Sequence, residues 1–184
     1  MELPEKTYVS QEYIETASGN KVCRNSVLCG SQNIILNGKS IIHQNCIIRG
    51  DLAGCRFGRN CVISERSVIR PPSKRSANKI SFIPVQIGDC VYVEEDVILQ
   101  ATSVGSYVHI GKGSVIGKRA KLGDCCAILP GSYLPQDTVV PTFAIFGGSP
   151  AQWVDDLPET QQFLMNEACR NYYANFRPVS TSTT

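Results

Sequence analysis

A six-residue period runs through most of this chain, and few folds can accommodate it. From Ile87 the residues divide into IGDCVY and VEEDVI, then Leu99, then VGSYVH, IGKGSV, IGKRAK, LGDCCA, ILPGSY, LPQDTV, VPTFAI and FGG. Earlier blocks read LNGKSI, IHQNCI and IRGD from Leu36, and FGRNCV, ISERSV and IR from Phe57. Aligned this way, positions 36, 42, 48, 57, 63, 69, 87, 93, 99, 104, 110, 116, 122, 128, 134, 140 and 146 are all Ile, Leu, Val or Phe. The residue two places earlier is small or valine-sized everywhere except at Ile34. The residue just after is Gly at 58, 88, 105, 111, 117, 123 and 147. An α-helix cannot use this pattern, because period six with β-branched residues matches no 3.6-residue stripe.

Three short strands joined by tight corners make one triangular coil, so a turn of about 18 residues carries three hexads. The large aliphatic side chain fills the interior. The residue two before it must be small because the prism narrows there, and glycine is expected at the corner for its backbone freedom. With Val22 and Leu28 counted as a first, poorly registered pair, the hexads make about six coils, or about 29 Å of prism at the strand-pairing distance. The sequence therefore predicts an all-β solenoid, a parallel β-helix of hexapeptide repeats over about 20–147, within a single domain spanning 1–184.

Breaks in the period mark where the chain leaves the prism. Ile48 to Phe57 is three residues too long and contains Arg49-Gly50-Asp51; Ile69 to Ile87 is twelve too long. The second break is expected to be a protruding basic loop at 70–86, with Arg70, Lys74, Arg75 and Lys79 as a candidate partner-binding set. After Pro158 the sequence PETQQFLMNEACRNYYANF predicts one C-terminal α-helix at about 157–176. Phe163, Leu164, Ala168 and Tyr172 are expected on its packed side. Residues 178–184 are expected to form a flexible tail.

Composition excludes several function classes. A formal charge of +2 supplies no global field to recruit nucleic acid or an anionic membrane. The opening residues lack the apolar core of a secretion signal and no apolar run approaches a membrane span, so the chain is expected to be soluble and cytosolic. Nine cysteines, an odd number without paired CxxC knuckles, fit reduced, small hydrophobes better than a zinc ribbon or a disulfide framework. Only His43 and His109 could act as a general base. Neither has an acidic partner nearby in sequence, so both are expected to be solvent-exposed and idle.

The runs CIIRGD, RFGRNCVISERSVIR and VQIGDCVYVEEDVI resemble the γ-class carbonic anhydrases, a hexapeptide-repeat family of trimeric left-handed β-helices with a C-terminal helix. The left hand of the predicted prism is implied by this resemblance; the usual crossover rule gives the opposite hand. Those enzymes hold a metal through three histidines, and at the matching positions this chain has Arg70, Asp89 and Glu94, with Ser64 in place of a glutamine. One guanidinium and two carboxylates do not make a zinc site, so no metal and no cofactor are expected, and Arg70 could instead pair with Asp89 or Glu94. Arg49 and Asp51 remain from the family's motif, as a structural ion pair or an interface feature.

A second resemblance spans nearly the whole chain. The segments ETASGNKVCRNSVLCGSQNIILNGKSII, CIIRGDLA, SVIRPP, VGSYVHIGKGSVIG, LPQDTVVP and FGGSP are similar to the β-helical subunits of the dynactin pointed-end complex. That resemblance implies a non-catalytic assembly subunit in the cytoplasm, associated with the cytoskeleton. It also implies partners: other dynactin subunits, including the partner β-helix subunit six and the pointed-end actin-related subunit, together with dynein adaptors or cargo proteins. The rival readings are a metal-dependent lyase with rebuilt ligands and a coenzyme A-dependent acyltransferase.

Overall fold

A computed structural model describes residues 2–180. The chain winds into a triangular prism whose three sides are parallel sheets built from strands mostly two or three residues long. One side stacks Val27–Cys29, Ile47–Arg49, Val68–Ile69, Ile98–Leu99, Val115–Ile116 and Tyr133–Leu134. The next stacks Ile34–Gly38, Cys55–Arg59, Val85–Ile87, Ser103–Val104, Lys121–Leu122 and Val139–Val140. The third stacks Lys21–Cys23, Ile41–Ile42, Val62–Ile63, Tyr92–Val93, His109–Ile110, Ala127–Ile128 and Ala144–Gly148. The third side is closed at its ends by antiparallel strands, Tyr13–Glu15 at one and Ala151–Asp156 at the other.

Register follows the hexads. Ile63, Val93, Ile110 and Ile128 lie on successive rungs, as do Ile69, Leu99, Ile116 and Leu134. All are buried, and of the seventeen aligned aliphatic positions only Leu36 and Phe146, at the ends of the series, stay partly open. The small residues two places upstream line the narrowing corners and bond across to neighbouring carbonyls. Ser67 Oγ donates to Glu94 O at 2.8 Å and Ser114 Oγ to Leu129 O at 3.0 Å. Cys61 Sγ lies 3.0 Å from Gly88 O. All nine cysteines are free thiols, and all but Cys29 are buried.

The glycines serve a different purpose from the one expected. The left-handed backbone falls three residues after most of the interior aliphatics, at Asn45, Asn60, Arg66, Asp96, Arg119 and their equivalents, whereas Gly58, Gly88 and Gly105 do not adopt it. A side chain at Gly88 would meet the backbone of Gly105 at 2.7 Å, and one at Gly58 would meet Gly88 at 2.6 Å. These glycines allow consecutive coils to approach at one corner.

Helix α1, Gln161–Asn175, lies along the third side. It covers Ile41, Val62 and Tyr92 with Met165, Cys169, Tyr172 and the following Phe176. The expected stripe is one turn-position out: Phe163 is 66% exposed, while Gln161 and Met165 are buried. Arg177–Pro178 then pairs with Thr7–Tyr8, and Val179 N–H donates to Tyr8 O. The chain is thus docked through Val179, where a flexible segment was expected from 178. The remainder of that expectation, 181–184, lies outside the described residues. Lys21 seals this seam, donating to Phe176 O at 2.7 Å beneath the rings of Tyr8 and Tyr173.

Candidate functional site

The three positions matching the enzymes' metal ligands do not converge on a common point. Asp89 stands at the corner after Ile87 and accepts the backbone N–H of Arg59 through Oδ1 at 2.7 Å. Glu94 stands at the next corner and uses both oxygens, Oε1 with His109 Nε2 at 2.7 Å and Oε2 with the Lys112 N–H at 2.7 Å. The His109 hydrogen bond holds the Glu94 carboxyl below its usual range, against the opposing effect of burial. Arg70 projects into solvent and forms an ion pair with neither Asp89 nor Glu94. Among the described residues no group of three His, Cys, Asp or Glu side chains is placed to hold a metal. The residue set here, an exposed guanidinium and two carboxylates already engaged elsewhere, does not fit the zinc of the related enzymes.

Both histidines differ from expectation. His43 is 2% exposed. Its Nδ1 lies 3.1 Å from Tyr13 Oη and its Nε2 2.7 Å from Tyr172 Oη, with Glu65 at 3.9 Å. Burial lowers its pKa to about 4, so the ring is neutral and sealed from substrate. Lys6 reaches over this cluster to Glu65 at 2.9 Å and Glu95 at 3.3 Å. His109 does have an acidic neighbour, Glu94, contributed by the adjacent coil. Sequence inspection missed both partnerships because the neighbours arrive from 15 to 129 residues away.

The basic loop is an ordered antiparallel hairpin, Ser73–Ser76 with Lys79–Phe82, on a base formed by the buried Pro71 and Pro72. Arg119 anchors it, donating from Nη1 to Ser73 O at 2.7 Å while its Nε bonds Asp137 at 2.8 Å. Lys74, Arg75 and Lys79 are exposed, and none forms an ion pair among the described residues. A turn-forming Ser-Ala-Asn centre between polar and apolar flanks is the sequence signal for this hairpin. At the earlier break Arg49 and Asp51 form a two-pronged surface ion pair, Nε to Oδ1 and Nη2 to Oδ2, each at 2.8 Å.

The assembled features are a rigid prism, an engaged pair of carboxylates, a sealed histidine and a protruding cationic hairpin. A family profile described as Dynactin subunit 5 matches residues 1–182. A Dictyostelium discoideum protein named Dynactin subunit 5 is 43% identical over 178 residues, covering 97% of this chain and 90% of that protein. Gamma carbonic anhydrase 2, mitochondrial, from Arabidopsis thaliana is 23% identical over 133 residues, 72% of this chain and 47% of its own length. Among solved structures, AntD, an N-acyltransferase from Bacillus cereus, superposes with a TM-score of 0.67 at 12% identity, covering 88% of this chain and 92% of that one. At that identity the likeness carries the fold alone, a parallel β-solenoid of hexapeptide repeats.

Proposed function

Because the chain belongs to the dynactin subunit 5 family, we propose that it is a non-catalytic structural and adaptor-binding subunit of the dynactin pointed-end complex, supporting dynein-driven transport of cargo along microtubules. The observation that carries this reading is a family match running from residue 1 to 182, well beyond the part shared with the carbonic anhydrases. The geometry supports the non-catalytic half: Asp89 and Glu94 are committed to backbone N–H groups and His109, and Arg70 repels a cation. The partners of this reading are the β-helix subunit six, the pointed-end actin-related subunit, and dynein adaptors or cargo proteins bearing acidic segments that the 73–82 hairpin can hold. Its place is the cytoplasm, on the cytoskeleton.

Affinity-tagged chain recovered from cell extract is expected to bring the other dynactin subunits with it in near-stoichiometric amount. Recovery free of every dynactin component overturns the reading. The purified chain is also expected to carry no stoichiometric zinc, cobalt or iron and to hydrate carbon dioxide no faster than buffer. A tightly bound metal, lost when Asp89 or Glu94 is replaced, would restore the lyase. One observation favours an acyltransferase instead, the Glu94–His109 pair; acetyl-coenzyme A turnover that disappears in His109→Asn is the result that would establish it.

A further inference from the structure

The three sides of the prism present different side chains to the outside. Beneath α1 the outward rungs are apolar: Ile41, Val62 and Tyr92, all buried by the helix. On a second side the middle rungs are polar, Arg56, Gln86, Ser103 and Lys121, with apolar Ile35 and Val139 only at the ends. The remaining side departs from this rule. Its outward rungs are Val27, Ile47, Val68, Ile98, Val115 and Tyr133, stacked in register from one end of the prism to the other. Val27, Ile47, Ile98 and Tyr133 are 50%, 36%, 41% and 46% exposed. A sheet face turned to water is ordinarily polar, and a continuous apolar stripe of this kind marks a contact surface.

The two edges of the stripe differ in charge. Along the entry edge most charges are satisfied internally, Arg66 with Asp96 at 2.7 Å and Lys6 with Glu65 and Glu95, which leaves only the scattered Arg24 and Lys112 outside an ion pair among the described residues. Along the exit edge stand Arg70, Lys118 and the hairpin cations Lys74, Arg75 and Lys79, none in an ion pair among the described residues. Arg119 ties the hairpin to this same edge through Ser73.

We propose that this face is the docking site for an amphipathic α-helix of a partner protein, with an apolar stripe against the six rungs and carboxylates along the flank that meets Arg70, Lys118 and the hairpin. The inference rests on the reading of the chain as an assembly subunit and adds to it a surface and a partner chemistry. Six rungs at about 4.8 Å span about 24 Å, the length of a helix of about 16 residues. The molecule itself shows that apolar outward rungs accept a helix, since the 15-residue α1 covers three of them, Ile41, Val62 and Tyr92, on the neighbouring side. The one-sided cationic edge fixes which flank of the helix is acidic and hence its rotation about its own axis.

The test uses the full chain and a synthetic, fluorescein-labelled 18-residue helical peptide with Leu at helical i, i+4, i+7 spacing and Glu along one flank. Binding is read by fluorescence anisotropy and by methyl NMR of the unmodified protein. The expected result is peptide-induced shifts at Val68, Ile98 and Val115. Ile98→Asp should weaken binding at least tenfold and Lys118→Glu several-fold, with Arg56→Asp on the polar side unchanged. Shifts that fall elsewhere, or equal binding by Ile98→Asp and the unmodified chain, overturn the proposal; the NMR arm needs no variant and stands if Ile98→Asp fails to fold. Self-association of the unmodified chain that Ile98→Asp abolishes assigns the face to a second copy instead. Loss of subunit six, with peptide binding intact, assigns it to another prism. Recovery of dynactin by the unmodified chain is read separately, so failure of the peptide to bind leaves the family-based function standing.

Discussion

His43 sits where a proton cannot follow it. Tyr13 and Tyr172 occupy both ring nitrogens, burial raises both phenols above their usual range, and Glu65, Lys6 and Glu95 are the only charges facing the pocket among the described residues. The unfolded chain takes up a proton on this ring near its ordinary value of 6.5, while the folded chain resists until about 4. Folded stability is therefore whole above about pH 6.5 and is lost as pH falls, at up to about 1.4 kcal/mol per pH unit and about 3 kcal/mol across the window. Glu65 is held below its ordinary 4.5, so its own contribution is lost only at lower pH. Unfolding free energies from urea titration at pH 7.5 and 5.0 should differ by about 2 kcal/mol in the unmodified chain and much less in His43→Gln; an equal difference in both would rule this account out. A second residue tests the interior. Ile116 is fully buried on the central rungs, and Ile116→Asp strands a carboxylate among aliphatics at a cost of several kcal/mol, enough to unfold the chain. A melting temperature within a degree or two of the unmodified protein would show the register to be wrong. Ile116 was legible in the sequence because its role repeats every six residues. His43 was not, because its surroundings are assembled from Tyr13, Glu65 and Tyr172, which no local pattern links.

Helix α1 shows the same division one level up. Its existence follows from Pro158 and a long run without breakers, but its first turn begins only at Gln161 rather than at about 157, and its rotation does not follow at all. The stripes 163/164/168/172 and 161/165/168/172 share two members, and the larger apolar surface of Phe163 favours the wrong one. What decides the matter is tertiary. Met165, Cys169 and Tyr172 pack with Cys90, Tyr92 and Val62, and Tyr172 must reach His43, which leaves Phe163 facing out beside Tyr107. Met165→Ser is accordingly expected to cost about 2–4 kcal/mol, by lost burial and an unfilled cavity. Phe163→Ser is expected to stay within about 0.5 kcal/mol, as surface changes do. Denaturant titration of the two variants side by side measures the difference. A larger loss at Phe163 than at Met165 would mean the helix is rotated from the position described. The corners carry a similar lesson. The recurring glycine looks like a conformational requirement, yet the left-handed residue is the third after the aliphatic and is Asn, Arg, Asp or Cys as readily as Gly. Glycine marks instead the places where successive coils stack closest, at Gly88, Gly111 and Gly117 on the three corners alike.

At the scale of the whole molecule the charge is nearly balanced, +2 in 184 residues, so what steers a partner must be local. The 73–82 hairpin is the place where positive charge is concentrated and left unpaired, because its cations stand on a two-stranded projection with only Arg119 and the two buried prolines tying it to the prism. Replacing Lys74, Arg75 and Lys79 with Glu takes the formal charge from +2 to −4, three positive charges lost and three negative gained. Among the described residues it removes no ion pair and no side-chain hydrogen bond, because the hairpin's own bonds run through its backbone and Ser81. The melting temperature and the association with other dynactin subunits are therefore expected to be unchanged, while capture of an acidic adaptor segment should fall at least tenfold at low salt. Exposed charges are screened beyond about 8 Å at physiological ionic strength, so the gap between the variant and the unmodified chain should narrow as salt rises. Binding measured at 50 and 300 mM salt, with melting and co-purification as controls, separates three outcomes. A loss that shrinks with salt places the adaptor contact on the hairpin. An equal loss at both concentrations points to a disturbed structure rather than a lost charge contact. Unchanged binding at both reduces the hairpin to a solvated excursion and removes its cations from the proposed docking face, leaving Arg70 and Lys118 as the only charges that could orient a partner there.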